Sequence, residues 1–194
     1  MSGAEPTNLI LIRHAPSDAN GRLSGRSDPA AHLPGDEVLN RARTTMAQLA
    51  TNARLVTSPA RRCMQTSAAL FPEQAAVRDP RLWEQDFGDW EGLLPRDIPD
   101  LGTLERAEIA RHRPPSGESF LDMFARTTPA LEGLTTGGTV VVVAHAGTIR
   151  AALGLALGAP TAGLSFEIAP LSATLLRAVT KGVWSISFTN RSLS

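Results

Sequence analysis

The sequence predicts an α/β protein, a three-layer αβα sandwich built on a mainly parallel central sheet. Short apolar runs alternate with segments of helical periodicity along the chain, and such alternation is typical of a parallel sheet with helices on both faces. The composition, 42% hydrophobic and 20% charged over 194 residues, suits a globular domain that needs no disulfide or metal to be stable. We therefore expect a single domain over residues 1–194.

The first half of the chain alternates strand and helix. An apolar run at 8–12 predicts a buried strand that ends at Arg13-His14 and enters a polar loop. Apolar residues at helical spacing predict a helix over 36–51, followed by a strand over 54–57. A second helix is predicted over 60–70, with Ser58 as its N-cap and Pro59 in its first position.

A long irregular stretch divides the two halves. After a short strand predicted at 75–78, residues 83–115 are rich in Gly, Pro and Asp, with one helix expected at 104–111. Structureless length of this kind inside a domain usually forms a lid or a binding loop. We expect the excursion at about 83–115 to cap a small-molecule site.

The second half returns to regular structure. A helix is predicted over 117–134, the clearest buried strand over 139–144, and a helix of small residues over 147–157. The final strands, 173–179 and 183–188, are expected to form a hairpin that turns at Lys181-Gly182.

Charge and composition exclude several classes of partner. Lys and Arg total 19 and are balanced by 19 Asp and Glu, so no global field attracts nucleic acid or anionic membrane. Residues 1–8 lack the pattern of a secretory signal, and glycines and a proline break the uncharged stretch 151–166. We expect a cytoplasmic protein, monomeric or homodimeric, without nucleic-acid or membrane partners; the single cysteine, Cys63, agrees with a reducing compartment.

Familiar catalytic motifs are absent from the sequence. The only lysine, Lys181, does not follow a phosphate-binding glycine loop, and no G-x-S-x-G nucleophile elbow is present. Cys63 lacks the arginine six residues later that a cysteine phosphatase needs, so we interpret it as a buried apolar residue. The four histidines show no metal-ligand spacing. We therefore expect neither a metal nor a cofactor.

Three predicted strand ends carry cations or imidazoles. Arg13-His14 follows the first strand, 58–62 follows the second, and His145 follows the strand at 139–144. In parallel sheets these ends meet at one edge, where ligands bind. Phosphoryl transfer needs a nucleophile such as neutral imidazole, arginines on the phosphate oxygens, and a carboxylic acid to protonate the leaving group. The sequence contains all three.

Four ordered motifs carry a resemblance to a known family. They are 11–15 followed by Asn20, then 57–66, then Glu84, then 144–150. Together they resemble the histidine phosphatase superfamily, which has the phosphoglycerate-mutase-like fold. The resemblance spans most of the chain and implies hydrolysis of a small phosphate ester through a phosphohistidine.

The resemblance also implies roles for individual residues. His14 takes the place of the phosphorylated histidine, and Arg13 and Arg62 take the places of the phosphate-clamping arginines. Glu84 falls at the position of the proton donor, and His145 at that of the histidine that completes the phosphate pocket.

Some assignments keep alternatives. Ser17 and Asn20 match positions that line the phosphate pocket, but Ser17 can equally be a turn or N-cap residue. Neighbouring helix residues point about 100° apart, so only one of Arg61 and Arg62 is expected to face the pocket, and the motif spacing of the family that the chain resembles implies Arg62. Glu84 is chosen as the acid, with Asp86 as the fallback.

The motifs identify the family but leave several substrates open. Residues 83–92 and 114–119 look like those of α-ribazole phosphatases of the cobalamin pathway, which suggests α-ribazole 5′-phosphate as a substrate. Broad-specificity phosphatases and sugar-phosphate phosphatases share these sequence motifs less completely. A phosphoglycerate-type mutase is the next alternative, although Ala15-Pro16 stands where a mutase-type motif has glycine and glutamate. A phosphohistidine-protein phosphatase and a non-catalytic phospholigand-binding module are the remaining ones.

Overall fold

A computed structural model describes residues 5–180 and 182–193, and six strands form one sheet within those ranges. Their order is β3-β2-β4-β1-β5-β6. The first four of that order are parallel to one another, whereas β5 and β6 are antiparallel. The predicted mainly parallel sheet is confirmed, as is the closing hairpin, although Lys181 of its turn lies outside the described residues. The strands are β1 (Thr7–Arg13), β2 (Arg54–Thr57), β3 (Val77–Arg78), β4 (Gly138–Ala144), β5 (Ser172–Thr180) and β6 (Val183–Ser192).

Helices cover both faces of the sheet. Side chains of α1 and α2 pack with Ile10 and Ile12 on one face, and side chains of α4 and α5 pack with Leu9 and Leu11 on the other. Because β1 is buried on both faces, its sequence is a continuous apolar run rather than an alternating one. The three-layer sandwich is therefore confirmed. The helices are α1 (Asp36–Leu49), α2 (Arg61–Leu70), α3 (Arg106–Arg111), α4 (Phe120–Gly133) and α5 (Ala146–Ala156).

The start of α2 differs from the prediction. Ala60, not Ser58, is the N-cap residue, and the helix begins at Arg61. The N–H of Arg61 donates to the carboxylate of Asp28 at 2.7 Å, so a distant loop satisfies the helix start. The Ser58 hydroxyl is instead shared between the Ala60 N–H, at 3.3 Å, and His145.

The excursion at 83–115 is more ordered than predicted. It holds 3₁₀ turns at Gly88–Trp90 and Pro95–Asp97 in addition to α3. Its two ends are joined, because Asp89 N–H donates to the Pro115 carbonyl and Glu118 N–H to the Asp86 carbonyl, both at 2.9 Å. After it, α4 begins three residues later than predicted, since Ser119 and Asp122 form a capping box there.

The parallel strands end at the same edge of the sheet. Arg13 pairs with Ala144, and Thr57 pairs with Val143. The next residues therefore emerge side by side, and two backbone bonds extend the ladders: His14 N–H to Ala144 O and Ser58 N–H to Val143 O. Within the described ranges, no helix has both the length and the apolar character needed to span a bilayer.

Candidate active site

Two histidines meet at this edge of the sheet. His14 follows β1 and His145 follows β4, and their ring centroids lie 5.2 Å apart with the planes at 69°. The His145 side chain is fully buried and His14 is 7% exposed. The sheet register thus brings together two imidazoles that are 131 positions apart in the sequence.

The surroundings of His14 fix its protonation. Its Nδ1 lies 2.6 Å from the Ala15 carbonyl, and its Nε2 lies 3.3 Å from Nε of Arg62. A carbonyl only accepts and a guanidinium only donates, so Nδ1 carries the proton and Nε2 keeps its lone pair. Burial, opposed by the Ala15 hydrogen bond and reinforced by the charges of Arg62 and Arg13, lowers the His14 pKa to about 3. At neutral pH the ring is therefore uncharged, which is the state that a nucleophilic imidazole requires.

His145 is neutral for similar reasons. Its Nε2 lies 2.9 Å from the Ser58 hydroxyl, and its Nδ1 lies 3.2 Å from a terminal nitrogen of Arg62. Burial first, then the Arg62 charge, holds the pKa of His145 well below its usual value. Cys63 lies against the same ring, with Sγ 3.5 Å from Nε2; because burial strongly raises its pKa, the thiol is inert packing, as predicted.

Arg62 bridges the two imidazoles. It lies in the first turn of α2 and its side chain is 1% exposed, whereas Arg61 points to solvent. One guanidinium group therefore contacts His14 through Nε and His145 through a terminal nitrogen. Only one of the two adjacent arginines faces the site, as helix geometry predicts, and it is the one that the family resemblance implies.

Arg13 is the second cation at this edge. One terminal nitrogen donates to the Ile168 carbonyl at 2.5 Å. Its Nε is buried and has no hydrogen-bond partner among residues 5–180 and 182–193. Burial lowers the Arg13 pKa, with Glu84 opposing and Arg150 and Arg62 reinforcing the shift. A guanidinium with an unused buried donor is suited to an anionic ligand.

Glu84 reaches the site from the segment after the Pro80–Leu82 turn. Its Oε2 accepts from the Gly147 N–H at 3.2 Å, in the first turn of α5, and its Oε1 accepts from the Gln85 N–H at 3.0 Å. A Cβ on Gly147 would overlap Glu84 Oε1 and would lie 2.9 Å from the Met123 Cε. The close approach of this carboxylate therefore requires glycine at 147.

Arg126 of α4 holds the backbone beneath Glu84. Its guanidinium donates to the carbonyls of Arg81, Trp83 and Glu84 at 2.8–2.9 Å and pairs with the Glu118 carboxylate at 2.7 Å. The sequence offered no signal for this role, because Arg126 lies in an ordinary amphipathic helix 42 positions from Glu84.

Asp86 and Trp83, which flank Glu84 in this segment, make different contacts. The Asp86 carboxylate accepts from the Gly88 N–H at 2.9 Å and lies 3.8 Å from Arg26. Trp83 packs with the core and lies nearly parallel to the His145 ring, at 6.4 Å between centroids. Glu84, rather than Asp86, therefore has its carboxylate on the α5 side of the site.

Ser17 and Asn20 lie in the loop after β1. Ser17 is half-buried and forms an isolated bridge with Ala31, while Asn20 is exposed with a φ of 52°. The hydrogen bonds described above for the histidine pair involve neither residue. Their contact with phosphate stays a prediction.

The cluster suits phosphoryl transfer. It presents a lone-pair nitrogen, two guanidinium groups and a carboxyl group within one buried edge. In the described parts of the chain, no group of three or more His, Cys, Asp or Glu side chains is arranged to hold a metal ion.

Comparison with known proteins gives a consistent result. The profile of the histidine phosphatase superfamily (branch 1) matches residues 9–191. A bifunctional protein of Mycobacterium tuberculosis is 34% identical over 168 residues, which cover 79% of this chain and 45% of that protein. The chain thus spans less than half the length of that relative. A glucosyl-3-phosphoglycerate phosphatase of Mycolicibacterium vanbaalenii is 30% identical over 169 residues, covering 78% of this chain and 75% of the relative.

Solved structures show the same fold. A mycobacterial glucosyl-3-phosphoglycerate phosphatase in complex with inorganic phosphate superposes with a TM-score of 0.80 at 27% identity, covering 96% of this chain and 98% of the other. A putative α-ribazole-5′-phosphate phosphatase of Escherichia coli superposes with a TM-score of 0.78, covering 96% and 98% of the two chains. At 20% identity, the second likeness extends to the fold alone.

Proposed function

The chain belongs to the histidine phosphatase superfamily, and from that premise we propose that it hydrolyses phosphate monoesters through a phosphohistidine at His14. The observation that carries the proposal is the direction of the His14 lone pair. Nε2 is unprotonated and faces the guanidinium of Arg62. A phosphoryl group held by that guanidinium lies within reach of the nucleophile.

The first step forms the phosphoenzyme. The Nε2 lone pair attacks phosphorus, the P–N bond forms and the P–O bond to the leaving group breaks. Glu84, in its protonated form, transfers its proton to the departing oxygen. Arg13 and Arg62 hold the equatorial oxygens and stabilise the charge that develops on them.

The second step releases phosphate. The Glu84 carboxylate removes a proton from water, the water oxygen attacks phosphorus, and the P–N bond breaks. His14 returns to its neutral form and Glu84 to its acid form, so the cycle closes with no net change in the enzyme. His145, neutral and buried beside His14, lines the phosphate pocket, and Ser17 and Asn20 complete its outer wall.

The substrate follows from relatives and from sequence resemblance. Two of the similar proteins are named as glucosyl-3-phosphoglycerate phosphatases. The segments 83–92 and 114–119 resemble those of α-ribazole phosphatases. We assign the chain a small phosphorylated metabolite, which it binds as a cytoplasmic single-domain enzyme with the excursion 83–115 as its cap.

Trapping the intermediate tests the chemistry. Rapid acid-free quenching with a ³²P-labelled aryl phosphate is expected to leave an acid-labile, alkali-stable label on the protein, mapped to His14. A label elsewhere, or turnover without any label in single-turnover experiments, contradicts the proposal. Product analysis with 3-phosphoglycerate and a bisphosphate primer separates hydrolysis from mutase transfer, and a panel that contains glucosyl-3-phosphoglycerate and α-ribazole 5′-phosphate ranks the substrates.

A further inference from the structure

The guanidinium of Arg62 is held by a loop, and that loop is held by one carboxylate. We propose that Glu91 is a positioning residue that organises residues 24–27 and thereby aims Arg62 at the two imidazoles. The inference rests on the proposed phosphate pocket, because it assigns Glu91 a part in building it.

Arg62 owes its orientation to backbone carbonyls. One terminal nitrogen donates to Ser27 O at 3.0 Å, and the other donates to Ser24 O at 3.0 Å and to Gly25 O at 3.1 Å. These three acceptors turn the guanidinium so that Nε faces His14. A shift of the loop therefore moves the cation that faces the nucleophile.

The Glu91 carboxylate accepts hydrogen bonds from the opposite side of the loop. Its Oε1 accepts from the N–H groups of Gly25 and Arg26 at 3.0 and 2.8 Å. Its Oε2 accepts from the Ser27 N–H at 3.2 Å and from the Ser27 hydroxyl at 2.6 Å. The carbonyls point inward to Arg62 and the N–H groups point outward to Glu91, so one carboxylate fixes the loop that fixes the arginine.

Both the charge and the space at this position support a carboxylate. Burial raises the pKa of Glu91, but hydrogen bonds from the Ser27 hydroxyl and from backbone N–H groups of Arg26, Ser27 and Phe87 outweigh it, and the net pKa is lowered. A Cβ on Gly25 would overlap the Gln85 carbonyl and would lie 2.6 Å from Glu91 Oε1. Glycine at 25 thus admits the carboxylate against the backbone.

Glu91 also links two parts of the chain. It follows the 3₁₀ turn Gly88–Trp90 in the excursion, whereas the loop it holds precedes α1. Its Oε1 also accepts from the Phe87 N–H at 3.2 Å, within the excursion itself. The Glu91 carboxylate thereby connects the excursion to the loop that holds Arg62.

The test compares Glu91→Gln with Asp122→Asn. Glutamine keeps the shape but turns one acceptor oxygen into an NH₂ group that faces N–H donors. Asp122 is a matched control, because it too is a carboxylate with a lowered pKa that accepts from Ser119, yet it caps α4 and does not touch the loop. Three quantities are measured on each protein: the Kd for inorganic phosphate by calorimetry, the ¹⁵N resonance of His14 Nε2, and the melting temperature.

The proposal expects a specific pattern. Glu91→Gln should weaken phosphate binding by about tenfold, the loss expected when a charge-assisted hydrogen-bond network is broken, and should shift the His14 Nε2 resonance. Asp122→Asn should change neither quantity. A Glu91→Gln protein that melts lower but keeps phosphate affinity and the His14 resonance overturns the proposal, and so does an equal loss of phosphate affinity in Asp122→Asn.

A milder variant tests the proposal if the Glu91→Gln protein does not fold. Ser27→Ala removes the hydroxyl that donates to Glu91 and also pairs with the Ser24 hydroxyl at 2.9 Å, at an exposed position. It should weaken phosphate binding by about threefold in the same direction; unchanged affinity together with an unchanged His14 resonance overturns the proposal. If the unaltered protein binds no phosphate, the proposed function fails. The His14 resonance still decides the role of Glu91 in that event.

Discussion

The Nε of Arg62 lies 3.3 Å from Nε2 of His14. The contact is informative because a guanidinium cannot accept a proton, so the histidine nitrogen must be the acceptor. A cation and a nucleophilic lone pair thus face each other inside a nearly dry site, where electrostatic interactions are stronger than in water. The arrangement places the Arg62 cation in contact with the nitrogen that we propose as the nucleophile.

Replacing His14 by alanine is expected to abolish hydrolysis. With no nitrogen to attack phosphorus, kcat for an aryl phosphate should fall by roughly 10⁴-fold or more, while the far-UV circular dichroism stays unchanged. Steady-state kinetics on the purified variant measure this. His32→Ala is the control, since the His32 side chain is 78% exposed and lies 3.8 Å from Asp18, and it should leave kcat within about threefold of the original. Sustained turnover by His14→Ala refutes the nucleophile assignment.

Acid should destabilise the protein through His14. The ring has a pKa of about 3 in the folded chain, against 6.5 for an unperturbed histidine, so between these values the unfolded chain takes up a proton that the folded chain refuses. Stability from this group is complete above pH 6.5 and falls by about 1.4 kcal/mol per pH unit below it. Urea unfolding at pH 7, 6, 5 and 4 measures the slope.

Comparison with His14→Asn isolates that contribution. His145, whose pKa burial also lowers, and the carboxylates with lowered pKa values, those of Asp79, Glu91 and Asp122, also contribute to the loss of stability in acid, but they are present in both proteins. The variant should show a shallower decline between pH 6.5 and 4. Equal slopes in the two proteins contradict a neutral buried His14.

The sequence predicts well what depends on short-range pattern. The alternation of apolar strands and helices predicts the sheet, and strand polarity then predicts that His14, Arg62 and His145 converge. Contacts made between distant loops leave no such pattern. In the sequence, Glu91 lies in an acidic segment that is typical of a solvated turn. Only the folded chain shows that five donors from residues 25–27 and 87 surround its carboxylate.

The helix start at α2 shows the same limit. Ser58-Pro59 has the sequence of an N-cap followed by a first-turn proline, and local rules favour it. Asp28 caps the helix instead, because the loop that holds Arg62 also brings that carboxylate to the first free N–H. The long-range contact frees the Ser58 hydroxyl to lie 2.9 Å from His145 Nε2.

Glu84→Gln should reveal the proton donor through its dependence on the leaving group. Glutamine still accepts from the Gly147 N–H but cannot donate a proton to an alkoxide. For alkyl phosphates kcat/KM should drop by roughly 10²-fold or more, whereas p-nitrophenyl phosphate, whose leaving group needs no proton, should lose much less. A plot of log kcat/KM against leaving-group pKa measures the difference. Asp86→Asn, the fallback acid, should keep the original slope, and a steepened slope there instead transfers the role to Asp86.

Gly147→Ala should cause the same kind of activity loss as Glu84→Gln while leaving the carboxyl group of Glu84 chemically unchanged. The new methyl group would overlap Glu84 Oε1 and press on Met123, so the acid must leave its place beside α5. We expect kcat/KM for alkyl phosphates to fall by about 10- to 100-fold, with a smaller loss for p-nitrophenyl phosphate. Gly133→Ala is the matched control, because a Cβ there meets no atom within 4 Å at the end of α4, and alanine in a helix costs nothing in propensity. Full activity of Gly147→Ala toward alkyl phosphates contradicts this prediction and shows that proton donation does not depend on the contact between Glu84 and α5.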